Sequence, residues 1–326
     1  MARTRVEPRV QKDMEYTTLG RTELRVSRMG LGCGGHSRLG LSNGNSEAEA
    51  ENVVREALSL GINFIDTAES YGTEEIVGRA LAGMPREKVV LSTKAGVEWQ
   101  DRKSSDREIR HRVDACLSRL KTDYIDVFHV HGLRREDYMY VSVELMPALL
   151  ELKLEGKIRF IGVTEAFASD SSHVMLKQAV QDAFWDVVML GFNVLNQSAR
   201  KEILVRTQEK GIGTLCMFAV RRALSRPDLL PELMRDLVAR GLVDIGSFDP
   251  DSPLGFLTAD GVSDSVQDAA YRFCRWELGI DVVLSGTGNI EHLRANVASL
   301  GRPPLPEDVQ QRLRTLFERV DSISGN

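Results

Sequence analysis

Residues 61–81, GINFIDTAESYGTEEIVGRAL, hold a complete strand, turn and helix start. The apolar run INFID (62–66) reads as a buried strand that ends on an acid, and Thr73 ahead of Glu74 and Glu75 marks the first turn of a helix, where carboxylates meet the positive end of the helix dipole. The same unit recurs in both directions. Short apolar runs lie at 28–32 (RMGLG), 89–93 (VVLST), 124–130 (YIDVFHV), 158–163 (IRFIGV), 186–190 (DVVML), 212–217 (IGTLCM) and 281–286 (DVVLSG), which with 62–66 makes eight. Between them stand amphipathic stretches such as SEAEAENVVREALSLG, SDREIRHRVDACLSRL and SVELMPALLELKLEG, with apolar residues three and four apart and a capping box at Ser105 and Glu108. Eight strands alternating with helices over this length predict a (β/α)8 TIM barrel.

Ahead of the first barrel strand, YTTLGRTELRVSRMG places a Gly-Arg-Thr turn between two β-like runs, a hairpin expected to cap the barrel floor. Residues 1–13 are expected to be a flexible extension and 14–326 one barrel domain. The segment 218–264, with Arg221, Arg222, Pro227, Pro231, Pro250 and Pro253, breaks the rhythm and is expected to be a long loop with a short helix over the mouth.

Composition narrows the function. A formal net charge of −5 and the lack of any Lys/Arg run argue against a nucleic-acid partner. The four cysteines, Cys33, Cys116, Cys216 and Cys274, form no CxxC pair, which argues against a disulfide framework or a zinc site and fits the cytoplasm. No stretch approaches a membrane span, and the N-terminus has no apolar signal core.

In such a barrel, chemistry sits at the carboxyl ends of the strands. Those ends carry Asp66, Lys94 and His131, and Tyr71 follows Asp66 closely enough to reach the same mouth. The set suits carbonyl reduction. A phenol near pKa 10 needs help to move a proton near neutrality; an ammonium at Lys94 would supply it, Asp66 would hold that ammonium, and neutral His131 would orient the carbonyl oxygen. Each residue alone also has a structural reading: Asp66 with Lys94 as an ion pair closing the barrel top, Tyr71 as an interfacial aromatic, His129 as a buried core histidine.

These blocks resemble the aldo-keto reductase superfamily of NAD(P)-dependent carbonyl reductases. The resemblance runs from Tyr16 to Leu300 through LGRTELRVSRMGLG, GINFIDTAESYGTEEIVGRAL, VVLSTKAG, TDYIDVFHVHG, LKLEGKIRFIGVTE and VLSGTGNIEHLRANV. It implies the tetrad Asp66, Tyr71, Lys94 and His131, with Tyr71 as general acid, and a nicotinamide at the barrel mouth. It implies cofactor contacts at Thr164, Glu165, Met189, Met217 and Phe218, where the family usually carries Ser-Asn, Gln and a stacking Tyr; here Glu165 would accept from the carboxamide amide. Gly286, Thr287, Gly288 and Asn289 would hold the adenosine phosphates at a helix N-terminus, with His292 and Asn296 nearer the adenine. Arg294 as a substitute cation favours NADP(H) over NAD(H). Trp99 is a candidate for the substrate pocket, and no residues form a metal site.

Three other readings compete. GLGCGG (30–35) matches GxGxxG, but no helix opens behind it and the next strand-end acid, Asp66, comes 31 residues after Gly35, so a Rossmann dehydrogenase is disfavoured. A metal-dependent hydrolase would need more than His129 and His131 in HVH. A low-turnover nicotinamide-binding sensor on the same barrel is the alternative to an enzyme.

Overall fold

The computed structural model describes residues 14–226 and 228–326; the expected extension at 1–13 lies outside the described residues. Twelve strands are present among them: β1 (Tyr16–Thr18), β2 (Arg25–Ser27), β3 (Met29–Gly32), β4 (Phe64–Asp66), β5 (Val90–Gly96), β6 (Glu98–Trp99), β7 (Arg102–Lys103), β8 (Ile125–Leu133), β9 (Ile158–Glu165), β10 (Val187–Gly191), β11 (Gly213–Met217) and β12 (Val282–Ser285). β3, β4, β5, β8, β9, β10, β11 and β12 close into a parallel barrel, each at one of the eight runs read from the sequence. The seam pairs β3 with β12, Met29 opposite Val283 and Leu31 opposite Ser285.

Side-chain alternation sorts each strand into two cores. Leu31, Ile65, Leu91, Phe128 and Val163 face the surrounding helices. Phe64, Val90, Val127, Val187, Met189, Leu215 and Val282 face inward, where they pack with Leu19, Leu24 and Val26 of the N-terminal hairpin. β1 and β2 pair antiparallel, and the turn between them docks by the Arg21 amide on the Gly211 carbonyl at 2.6 Å. The hairpin therefore plugs the amino end of the barrel and leaves the carboxyl end open.

The capping box at Ser105 and Glu108 forms, and a second joins Ser46 to Glu49. The other helix start also forms where the sequence places it, with Glu74 and Glu75 in the first turn behind Thr73, but without a side-chain cap. Thr73 makes no cap bond and instead pairs its hydroxyl with Thr67 at 2.9 Å. Glu74 is buried, taking the Thr93 hydroxyl at 2.5 Å and Arg119 at 2.6 Å, so it braces β5 against the helix Asp106–Leu120. The segment 218–264 also carries more helix than expected, at Arg222–Ser225 and Leu230–Ala239 with three 3-10 turns. All four cysteines are buried free thiols. No helix of the described residues is long and apolar enough to cross a membrane.

Candidate active site

The inward positions one layer above the apolar plug are polar. In register, Gly32 lies beside Asp66, Asp66 beside Ser92, and Lys94 beside His129. Period-two alternation therefore sends Asp66, Lys94, His129 and His131 inward from neighbouring strands. Lys94 is 1% exposed; its ammonium meets Asp66 at 2.7 Å and the Thr67 carbonyl at 2.7 Å, and Ser92 donates to the other Asp66 oxygen at 2.8 Å. Burial alone would depress the Lys94 ammonium, but attraction to Asp66 and then Tyr71 outweighs it and holds the group above the usual lysine range.

Tyr71 sits at the end of a 3-10 turn, Glu69–Tyr71, directly behind the β4 tip. The Lys94 nitrogen is 4.9 Å from its ring centroid, and its hydroxyl is 3.4 Å from His131 Nε2 with the rings edge to face. Two contacts that the sequence did not disclose place this phenol. A Cβ at Gly34 would fall 2.3 Å from the Tyr71 ring, so the ring occupies space that only glycine leaves. On the other side, buried Arg112 grips Glu69 through Nε at 3.1 Å and through Nη2, and also donates to the Gly96 carbonyl at 2.8 Å. Arg112 thereby ties the Tyr71 turn to the end of β5, the strand that carries Lys94.

The electrostatics differ from the simplest expectation. Burial pushes the Tyr71 phenol above its ordinary value, and Lys94 pulls it only part of the way back, so the group is a protonated phenol near neutrality. Burial, Lys94 and Arg112 together lower His131 to about 3, which keeps its imidazole neutral. β8 runs through His131 to Leu133 with an irregularity after Val130, so the histidine lies within the strand and not beyond its end. His129, one layer deeper, is fully buried, its protonated form strongly disfavoured chiefly by burial.

A cavity of about 950 Å³ opens above these groups. Its lining includes Asp66, Tyr71 and His131, then Thr164, Met189, Met217 and Phe218, and also Gly286, Thr287, His292 and Asn296. This volume is at the upper end of the range for small-molecule sites and leaves room for an extended cofactor. Asn289 caps the helix Ile290–Leu300, accepting the His292 amide at 3.0 Å. Gly288 packs on the neighbouring loop: a Cβ there would fall 2.2 Å from the Gly40 Cα.

Several sequence-derived residues are engaged by protein groups, and two of them, Trp99 and Arg294, do not line the cavity. Thr164 spends its hydroxyl lone pair on the Gly132 amide at 2.7 Å. The Glu165 side chain has 0% exposure; it accepts from His173 Nδ1 at 2.8 Å and the Gly191 amide at 2.7 Å. Its carboxylate is therefore already engaged by protein donors at the position expected to accept from a carboxamide. Trp99, 37% exposed on the β6–β7 ribbon, stacks under Arg112 at 4.9 Å and is not among the cavity-lining residues. Arg294 is held by Glu56 at 2.9 Å and Glu291 at 2.8 Å.

Known proteins resemble this chain in sequence and in fold. The sequence profile of the Aldo/keto reductase family matches residues 28–318. Aldo-keto reductase YhdN of Bacillus subtilis (strain 168) is 33% identical, over 95% of this chain and 95% of that protein. The NADH-specific methylglyoxal reductase of Escherichia coli (strain K12) is 32% identical, over 70% of this chain and 73% of its own length. Among solved structures, the holo form of aldo-keto reductase AKR11C1 from Bacillus halodurans matches with a TM-score of 0.71 at 27% identity, covering 95% of this chain and 98% of the other. With a profile match over most of its length and a closed eight-stranded barrel, the chain belongs to the aldo/keto reductase family, whose enzymes are nicotinamide-dependent oxidoreductases.

Proposed function

We propose that this enzyme reduces an aldehyde or ketone, or oxidises the matching alcohol, with Tyr71 as general acid and base. The observation that carries the reading is that Tyr71, Asp66 and His131, with Lys94 paired to Asp66, meet at one cavity that is also lined by a glycine-bearing turn leading into a helix. A nicotinamide dinucleotide, when bound, supplies the hydride. Met217 and Met189 would pack against its ring, and Gly286, Thr287, His292 and Asn296 would hold its adenosine end. Tyr71 then donates its proton to the carbonyl oxygen. Lys94 stabilises the phenolate left behind, Asp66 fixes Lys94, and the neutral His131 orients the oxygen that receives the proton.

The phenol's raised pKa supports donation over abstraction near neutrality. In the test, NADH and NADPH oxidation is followed with a panel of aldehydes and ketones. Tyr71→Phe should keep cofactor binding and lose about 100-fold or more of the turnover; near-normal rates would remove Tyr71 from the mechanism.

Cofactor choice turns on the ribose 2′-phosphate. With Arg294 engaged by Glu56 and Glu291, and a basic residue barred from position 288 by Gly40, His292 is the titratable side chain that the segment 284–299 contributes to the cavity lining. The argument for NADP(H) from Arg294 is thereby lost, and NADH is proposed to bind at least as tightly as NADPH. The NADH-specific relative from Escherichia coli agrees with this direction. Fluorescence titration decides it: tenfold tighter NADPH binding would sink the proposal.

A second reading, a cofactor-binding sensor that hardly turns over, is favoured by the closure of Glu165 on His173 and by the two methionines at the ring wall. Tight nicotinamide binding without turnover of any carbonyl would select it.

A further inference from the structure

Two arginines line the cavity with no carboxylate at ion-pair distance among the described residues, the exposed Arg222 and the more buried Arg221. Arg221 lines the cavity with its guanidinium carbon 3.8 Å from the Phe218 ring centroid. Among the described residues no carboxylate lies within ion-pair distance of it, and its Nε is buried without a hydrogen-bond partner. Burial lowers its pKa with no compensating anion, unlike the raised values of Arg294 and Arg302, which have carboxylate partners. The acids around the cavity are all engaged. Asp66 holds Lys94, Asp268 holds Arg302 at 2.8 Å, and Glu165 is closed on His173.

Local backbone strain maintains this arrangement. Phe218 adopts φ 67°, a left-handed conformation that is unfavourable for a bulky side chain. The conformation lets its ring contact Arg221 while also stacking on Phe167, 6.1 Å between centroids. A guanidinium held flat on an aromatic face keeps its N–H edge free, the geometry that suits a carboxylate or phosphate. The stack runs to Phe167, just past the β9 tip, whose ring lies against Gly191 at the end of β10 and so over the mouth of the barrel.

We propose that Arg221 is an anion subsite, and that the carbonyl compound reduced at Tyr71 carries an acidic group, a carboxylate or a phosphate ester. The proposal rests on the carbonyl-reducing function above and adds a substrate class to it.

The test pairs acidic and neutral carbonyls of similar size: succinic semialdehyde with butanal, and glyceraldehyde 3-phosphate with glyceraldehyde. In the wild type at least one acidic member should exceed its neutral counterpart in kcat/KM by about tenfold or more. Arg221→Gln should reduce that ratio by about tenfold, and Arg221→Lys should restore part of it. A ratio unmoved by Arg221→Gln overturns the subsite. So does a cofactor dissociation constant, measured without carbonyl, that rises as much as KM, since Arg221 would then serve the cofactor's phosphates. If the wild type turns over neither member of either pair, the carbonyl-reducing function itself fails. The subsite is then judged on the cofactor-loaded protein: succinate should raise the Tm of the wild type and not of Arg221→Gln, and an equal response in both counts against it.

Discussion

At the Tyr71 end of the cavity, every reacting group comes from the inward face of a barrel strand or from the turn directly behind one, and each charge has a partner at hydrogen-bond distance. The ring wall between Met189 and Phe218 is built otherwise. Its strand positions carry thioethers, its one acid turns away to His173, and its aromatic residues come from loops. The first region holds its geometry through the barrel's own hydrogen-bonded register. The second depends on loop packing, so substitutions there change affinity and selectivity more readily than the proton chemistry.

Breaking the first region should cost most. Lys94→Met leaves the Asp66 carboxylate buried without its cation, and such a loss costs about 3–5 kcal/mol of stability. Urea titration should show that fall together with loss of turnover. A stability loss under 1 kcal/mol would mean that Asp66 does not depend on Lys94 for its burial. A smaller, purely positional break is Gly34→Ala, which forces the Tyr71 ring from its place. We expect kcat to fall about tenfold with little change in cofactor affinity, since a small misplacement of a reacting group is costly. Unchanged kcat would show that the ring shifts without consequence.

The other wall answers differently. Glu165→Gln replaces an acceptor that serves both His173 and the Gly191 amide, so it should cost about 1–3 kcal/mol in stability while altering the cofactor dissociation constant by less than threefold. A large affinity change would return Glu165 to the carboxamide. The mildest test is pH. His131 has a folded pKa of about 3 against an ordinary 6.5, so the unfolded chain takes up the proton first as acid is added. Stability contributed by the neutral imidazole is complete above pH 6.5 and is lost progressively between that value and about 3. His131→Gln should flatten part of the decline in Tm across that window, while buried His129 preserves the rest. The kcat/KM profile of the wild type should show no inflection from His131 between pH 6 and 8.

Much of this was legible in the sequence because the barrel is a local code repeated eight times. Each apolar run is short enough to be a strand and is followed by a helix-period stretch, and residues two apart share a face, so Asp66, Lys94 and His131 could be aimed inward from order alone. Partnerships across long separations could not be read. Glu165 looked available because nothing in the sequence brings His173, eight residues on, back under it in a left-handed conformation. Gly34 and Arg112 position Tyr71 from 37 residues before it and 41 after it, through space that only packing defines. A charged pair such as Glu69 and Arg112 leaves no periodic mark. Arg221 and Arg222 were visible as a break in the rhythm, but the lack of an acid beside Arg221 is a fact of three dimensions.

The seam between β3 and β12 joins the start of the described chain to its end. During synthesis the β3 edge can have no permanent mate until some 280 residues have been made, so the closing step is of high contact order and comes late. Gly32 and Gly286 flank that seam and both line the cavity, so a ligand lying across them would rivet the last strand to the first. Cellular supply of such a ligand would then govern how long newly made chains persist before proteases reach an open barrel.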